Sequence, residues 1–297
     1  PGNIPGMSIK CNLSELEPIL SNIITCLSSE GLGQSAARKE LNKRLERTPL
    51  EVAHTLGTRY GFKLDQPINY IQGVAISGRL RLNKLDSAYR DPSDGISDLV
   101  SFLKTDSGYE GNDGGGANIA GMCWADELGQ STSDDTWNEL MIKVANTYED
   151  VPRGVSPNPC HPDFGCEDMF YIATMLGRAY KISGDSRYTD SYVNFLLETK
   201  TQQPNGLFWH CRSAPYFWGR GNGFAALSFA EGLEYLPEEH SGRRQLIQIH
   251  QAHMQAMAKH QLPSGMWTQL LDFPGTYQEL SVTCMTGYAL AKGIRKG

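Results

Sequence analysis

Apolar residues recur at helical spacing along most of this chain. Leu13, Leu16, Ile19, Leu20, Ile23 and Ile24 fall on one stripe, with Asn12 or Ser14 placed to cap its start. The same period predicts helices over 37–56, 70–85, 167–181, 187–199, 223–236, 244–260 and 281–294. Met169, Phe170, Ile172, Ala173, Leu176 and Tyr180 give the 167–181 segment a broad apolar face, ending at the turn Ser183-Gly184-Asp185. The 223–236 segment is rich in Ala and Gly, and 244–260 is more polar. No stretch alternates apolar and polar residues over the length of a strand. The pattern predicts an all-α protein.

A longer period overlies the helical one. A small-residue helix is followed by a polar helix and then by a turn that closes on glycine and an aromatic residue. Gln203-Pro204-Asn205-Gly206-Leu207-Phe208-Trp209 ends one such unit, and Gln261-Leu262-Pro263-Ser264-Gly265-Met266-Trp267 ends the next, about 60 residues on. One helix pair cannot bury its apolar face alone, so repeated pairs must stack or close into a ring. Small residues suit a crowded inner ring and charged helices suit the outside. A closed α/α toroid is expected. No linker rich in Pro, Gly or Ser divides the chain, so residues 7–297 are expected to form a single domain, with 1–6 set aside as a leading segment.

Composition acts mainly by exclusion. The chain has 297 residues, 40% hydrophobic and 20% charged, with a formal net charge of −6. A mildly acidic surface lacks the basic footprint of a nucleic-acid binder, and the apolar runs are too short to span a bilayer. Neither nucleic acid nor membrane is an expected partner. The seven cysteines include no Cys-x-x-Cys pair and no zinc spacing, so no metal site is expected and free thiols are. Cys160 and Cys166 are close enough to bridge in an oxidising compartment. Residues 8–17 are too polar for a signal peptide, so cytoplasmic residence is expected, with secretion left open.

Four segments have compositions that helix packing does not explain. The first, 108–122, holds Asn112-Asp113-Gly114-Gly115-Gly116, where glycines allow close approach to a ligand or merely a turn. The second is Cys160-His161-Pro162-Asp163-Phe164-Gly165-Cys166-Glu167-Asp168, with two acids at the mouth of an apolar helix. Capping alone accounts for such acids, so they mark a site only with other support. The third, Trp209-His210-Cys211-Arg212, places a histidine beside aromatic residues. The fourth, Trp218-Gly219-Arg220-Gly221-Asn222-Gly223-Phe224, reads as a functional loop, since glycines cost about 1 kcal/mol each in a helix. Trp stacks on sugar faces, Arg pairs with carboxylates and Asn bonds hydroxyls, a set suited to an anionic carbohydrate. His161 and Tyr70, the latter at a predicted helix start, are further candidate substrate contacts.

The Trp218–Phe224 motif, with Pro274-Gly275-Thr276-Tyr277-Gln278-Glu279-Leu280-Ser281 and the closing 282–294 helix, resembles unsaturated rhamnogalacturonyl hydrolases of glycoside hydrolase family 105. These are related to the unsaturated glucuronyl hydrolases of family 88. The resemblance implies an (α/α)6 barrel and no metal or organic cofactor. It implies as substrate a lyase-made oligosaccharide ending in a 4,5-unsaturated uronate. An acid protonates C4 of the vinyl ether, water adds at C5, and the hemiketal collapses to release the next sugar. Asp113 then matches an Asp-x-Gly acid of the related enzymes, and His210, Trp218 and Arg220 match substrate contacts. The main acid lies in a Trp-x-Asp motif at an inner-helix start. Gapless alignment puts Glu167 there, residue type favours Asp168, and Asp168 is carried forward as the expected proton donor. Gly165 replaces the motif's Trp, and Phe224 stands where the family carries Trp. Two competing readings remain: another (α/α)6 carbohydrate enzyme (an inverting glycosidase or an epimerase), and a non-catalytic helical-repeat scaffold.

Overall fold

The computed structural model describes Pro18 and residues 35–65, 67–105, 116–148 and 163–296. The apolar stripe of 13–27 lies outside these residues apart from Pro18. Two compact units divide the chain, Pro1–Val52 and Ala53–Gly297. In the first, α1 (Ala36–Leu45) starts where the Ser35 hydroxyl accepts the Arg38 N–H. Helix α2 (Pro49–Gly57) begins in the first unit and ends in the second. Periodicity predicted one helix over 37–56, but the chain breaks before Pro49. Proline has no N–H to give an interior helix bond and suits a first turn. Thr48 and Glu51 secure the new start. The Thr48 N–H donates to the Glu51 carboxylate at 2.7 Å, and the Glu51 N–H donates back to Thr48 Oγ1 at 3.2 Å.

The second unit continues with α3 (Tyr70–Leu85), α4 (Ser93–Val100), α5 (Gly116–Ile119), α6 (Ala125–Thr132) and α7 (Asp135–Ala145). Then follow α8 (Cys166–Ser183), α9 (Ser186–Glu198), α10 (Gly219–Tyr235), α11 (Arg243–Lys259) and α12 (Leu280–Lys296). Helix α3 has the bounds its apolar stripe predicts, because Asn69 and Gln72 close a reciprocal cap at its start. Helix α8 stops at Gly184, whose φ of 69° lies in the left-handed region that glycine favours, and Asp185 caps α9 at once. Both turns of the longer repeat share one hydrogen-bonding scheme. Gly206 N–H donates to the Gln203 carbonyl and Gly265 N–H to the Leu262 carbonyl, each at 2.8 Å, with both glycines at positive φ.

Helices α8, α10 and α12 pack side by side. Gly221 packs against Cys166, Gly232 against Ala173 and Gly177 against Tyr235, so α8 and α10 run parallel. Gly223 sits on Val282 and Met285, while Glu231 meets Tyr288 and Lys292, so α12 is parallel to both. Helix α3 shares this direction, with Tyr70 beside Phe224 and Arg81 beside Tyr288. The 116–132 segment runs along α3 in the same sense, with Gly121 against Asn69 and Glu127 bonded to Ser77 and Arg81, while α11 runs back along α10, with His253 beside Asn222 and His250 beside Phe229. Phe170, Ile172, Met175, Phe195, Phe224 and Phe229 belong to the main core. One sequence expectation fails here. The glycine-rich 218–224 segment is the first turns of α10 rather than a loop. Two short strands, β1 (Trp267–Thr268) and β2 (Gln278–Glu279), pair antiparallel, too short for alternation to register.

Candidate active site

The glycines of α10 serve close approach. A Cβ on Gly219 would overlap the Thr268 carbonyl oxygen, and the Gly219 N–H donates to the Gln269 carbonyl at 2.7 Å. The start of α10 is thereby pressed onto the β1–β2 hairpin, which carries Glu279. Arg220 projects from this junction. Its guanidinium lies 4.6 Å from the Trp218 ring centroid, and Nη1 is 3.5 Å from Glu279 Oε1. Glu279 is itself fixed, accepting the Ser281 hydroxyl at 2.5 Å and the Val282 N–H at 2.6 Å as the cap of α12. The Arg220 side chain stays 41% exposed, so part of its fork is open to an incoming anion.

Beside it, Glu167 occupies the second position of α8. Both carboxylate oxygens lie 3.4 Å from His210 Nε2. The imidazole stands edge-on to Trp218, centroids 4.8 Å apart, and its Nδ1 is 3.2 Å from the Tyr216 hydroxyl. Tyr70, from the start of α3, completes the group. Burial pushes its phenol pKa up, Arg220 opposes that, and Glu167 and Glu279 add to it, so Tyr70 remains an O–H at neutral pH. Below, a cavity of about 580 Å³ has Tyr70, Arg220 and Phe224 among its walls and reaches Arg81, Arg178 and Glu231. Phe224 meets Tyr70 and Tyr171 edge-on and Phe170 at a tilt, ring centroids 5.4–6.0 Å apart.

The far end of that cavity is closed by a buried ion network. Arg178 is 2% exposed and reaches Asp126 at 2.5 Å and Glu127 at 3.2 Å. Arg81 bonds Glu127 at 2.6 Å and the Tyr288 hydroxyl at 2.9 Å, and Lys292 bonds Glu231 at 2.9 Å. Burial alone would raise the pKa of Glu231, but Arg81, Lys292 and Arg178 hold it well below the usual carboxylate range.

Of the residues singled out by sequence, Tyr70, Glu167, His210, Trp218, Arg220 and Phe224 come together here. Asp113 and His161 lie outside the described residues. One other changes role. Asn222 is completely buried; its amide accepts the Phe208 N–H at 2.8 Å and donates to the Phe208 carbonyl at 2.9 Å, while His253 Nε2 lies 3.2 Å from its Oδ1. It ties α10 to the preceding strand-like segment and has no face for a sugar. Asp168, the expected proton donor, is 2% exposed. Successive helix positions differ by about 100°, so the two acids point in different directions, and Glu167 is the one in contact with His210. Cys166 is a buried free thiol donating to the Trp209 carbonyl, with burial pushing its pKa well up. Glu279 and Tyr216 were missed as site members. The signal for Glu279 was an acid two residues before Ser281 at a predicted helix start.

The profile of Glycosyl Hydrolase Family 88 matches residues 53–297. The chain belongs to that family. Within it, a 166-residue stretch is 25% identical to the unsaturated 3S-rhamnoglycuronyl hydrolase of Alteromonas sp. (strain LOR), covering 54% of this chain and 36% of that protein. A 74-residue stretch is 32% identical to the unsaturated rhamnogalacturonyl hydrolase YesR of Bacillus subtilis (strain 168), covering 25% of this chain and 22% of that protein. A solved family 105 glycoside hydrolase from C. acetobutylicum ATCC 824 superposes with a TM-score of 0.69 at 21% identity, over 84% of this chain and 76% of its own. The family 88 unit thus has the all-α (α/α)6-barrel fold. Among the described residues, no three His, Cys, Asp or Glu side chains group as metal ligands, and no helix is long and apolar enough to cross a membrane.

Proposed function

We propose that this family 88 chain removes a 4,5-unsaturated uronic acid from the end of a lyase-generated, rhamnogalacturonan-type oligosaccharide. The observation that carries the reading is one carboxyl, Glu167, held against His210 beside an arginine stacked on tryptophan. Arg220 receives the uronate carboxylate, a charge-assisted contact. Trp218 bounds the sugar, Phe224 backs the cavity wall from the buried side, and Tyr70 offers a hydroxyl hydrogen bond. Glu167 gives its proton to C4 of the vinyl ether, leaving positive charge shared by C5 and the ring oxygen. Water adds at C5 and its proton returns to the Glu167 carboxylate. The hemiketal then opens, and the bond to the next sugar breaks. Glu167 is given the acid's role over Asp168 because it is the one of the pair in contact with His210. The names of the two curated relatives support the substrate class.

The test is direct. Mixed with lyase-digested rhamnogalacturonan, the protein is expected to abolish the ultraviolet absorbance of the conjugated uronate and release a saturated sugar end. Unchanged absorbance with this and with lyase-digested glycosaminoglycan overturns the proposal.

A further inference from the structure

Tyr216 is joined to His210 twice. The His210 N–H donates to the Tyr216 carbonyl at 3.0 Å, closing the 210–216 loop. The Tyr216 hydroxyl then lies 3.2 Å from His210 Nδ1, with ring centroids 5.7 Å apart. The opposite ring nitrogen, Nε2, is the atom that meets both Glu167 oxygens. One imidazole therefore links an exposed phenol to the carboxyl assigned to proton transfer. A neutral imidazole has one N–H, and the hydrogen bond at one nitrogen sets which nitrogen carries it.

We infer that Tyr216 is a positioning residue, whose hydroxyl donates to His210 Nδ1 and so keeps the imidazole proton on Nε2, aimed at Glu167. This rests on the proposed role of Glu167. As Glu167 gives up its proton, negative charge grows on the carboxylate, and an Nε2–H already in place stabilises it. The opposite tautomer would turn a lone pair toward that charge. Trp218 holds the ring plane edge-on, so the tautomer rather than the orientation is what the phenol controls. The loop's backbone link does not use the Tyr216 side chain, so removing the hydroxyl alone leaves the loop closed.

Tyr216→Phe isolates the hydroxyl. The nitrogen chemical shifts of the His210 ring in the free protein should show Nε2–H in the parent and a mixture of tautomers in the variant. With the unsaturated substrate, kcat should fall about tenfold with KM within twofold, the split expected of an interaction made in the transition state. In a His210→Ala background the same change should have no further effect on kcat. An unchanged tautomer overturns the inference, whether or not the protein acts on unsaturated uronates. A higher KM at constant kcat overturns it also, since Tyr216 would then touch sugar. So does an equal loss with and without His210. Absence of parent activity, with the tautomer shift present, sinks the proposed function and leaves the positioning role standing.

Discussion

The two ends of the parallel helices carry nearly the same side-chain types in opposite states. At one end Arg220, Glu167, His210 and Tyr70 are partly exposed over a buried Glu279, and the contacts Glu167–His210 and Arg220–Glu279 are 3.4–3.5 Å. At the other end Arg81, Arg178, Asp126, Glu127, Glu231 and Tyr288 bond one another, several at 2.5–2.9 Å, and four of the acids and arginines are under 7% exposed. Residue type does not separate them; saturation does. An arginine whose donors are all spent on fixed carboxylates is a clamp. One that rests on a ring and a single distant oxygen still has donors for a ligand.

Breaking the clamp should have the largest effect. Arg178→Met leaves Asp126, Glu127 and Glu231 buried without their shared cation, and should cost about 3–5 kcal/mol in urea unfolding. A loss below 1 kcal/mol would erase the distinction. At the open end, Glu167→Gln should lower kcat at least about a hundredfold with the unfolding midpoint unchanged. Asp168→Asn should keep most of that turnover per folded molecule; the reverse outcome returns the acid's role to Asp168. Arg220→Ala should raise KM by the roughly 1.5–3 kcal/mol of a charged hydrogen bond, again without loss of stability.

The smallest effect is a slope with pH. Burial pushes the pKa of His250 down to about 4 and that of His253 to about 3, His250 adding to the latter. Unfolding returns both to about 6.5, so the unfolded chain binds protons that the folded one refuses. Their contribution is full above pH 6.5 and is lost as pH falls toward those folded values. Between pH 6.5 and 5 each imidazole should cost at most about 1.4 kcal/mol per pH unit. His253→Gln should flatten the slope by about half.

How far the sequence foretold this depends on which residues are considered. Helices that bury one face of a long stripe, such as 70–85 and 167–181, were legible nearly to their ends. The helices α4, α6 and α7 were missed. In α6, Asp126 and Glu127 make the first turn look like a solvated face, yet both are buried against Arg178. The start of α10 was read as a loop because glycine is costly in a helix, and here close contact with Thr268 offsets that cost. Trp218, Arg220 and His210 were legible as site residues because their chemistry is unusual beside glycines. Asn222 has the same neighbours, and only the backbone of Phe208 shows that it is structural. The Glu167–Asp168 ambiguity turned on helix phase, which a cap at Gly165 sets and composition does not.

The common direction of α3, α8, α10 and α12 has an electrical consequence. Each helix carries a macrodipole of roughly half an elementary charge, positive at its first turn and negative at its last. Four first turns meet around Tyr70, Glu167, Arg220 and Glu279, so about two units of positive charge border the open end without any side chain supplying them. The opposite ends sum to a like negative charge, where Arg81, Arg178, Lys181 and Lys292 gather. A chain with a net charge of −6 therefore offers an anionic sugar a locally attractive mouth. Capture of such a sugar should slow as added salt shortens the reach of that field.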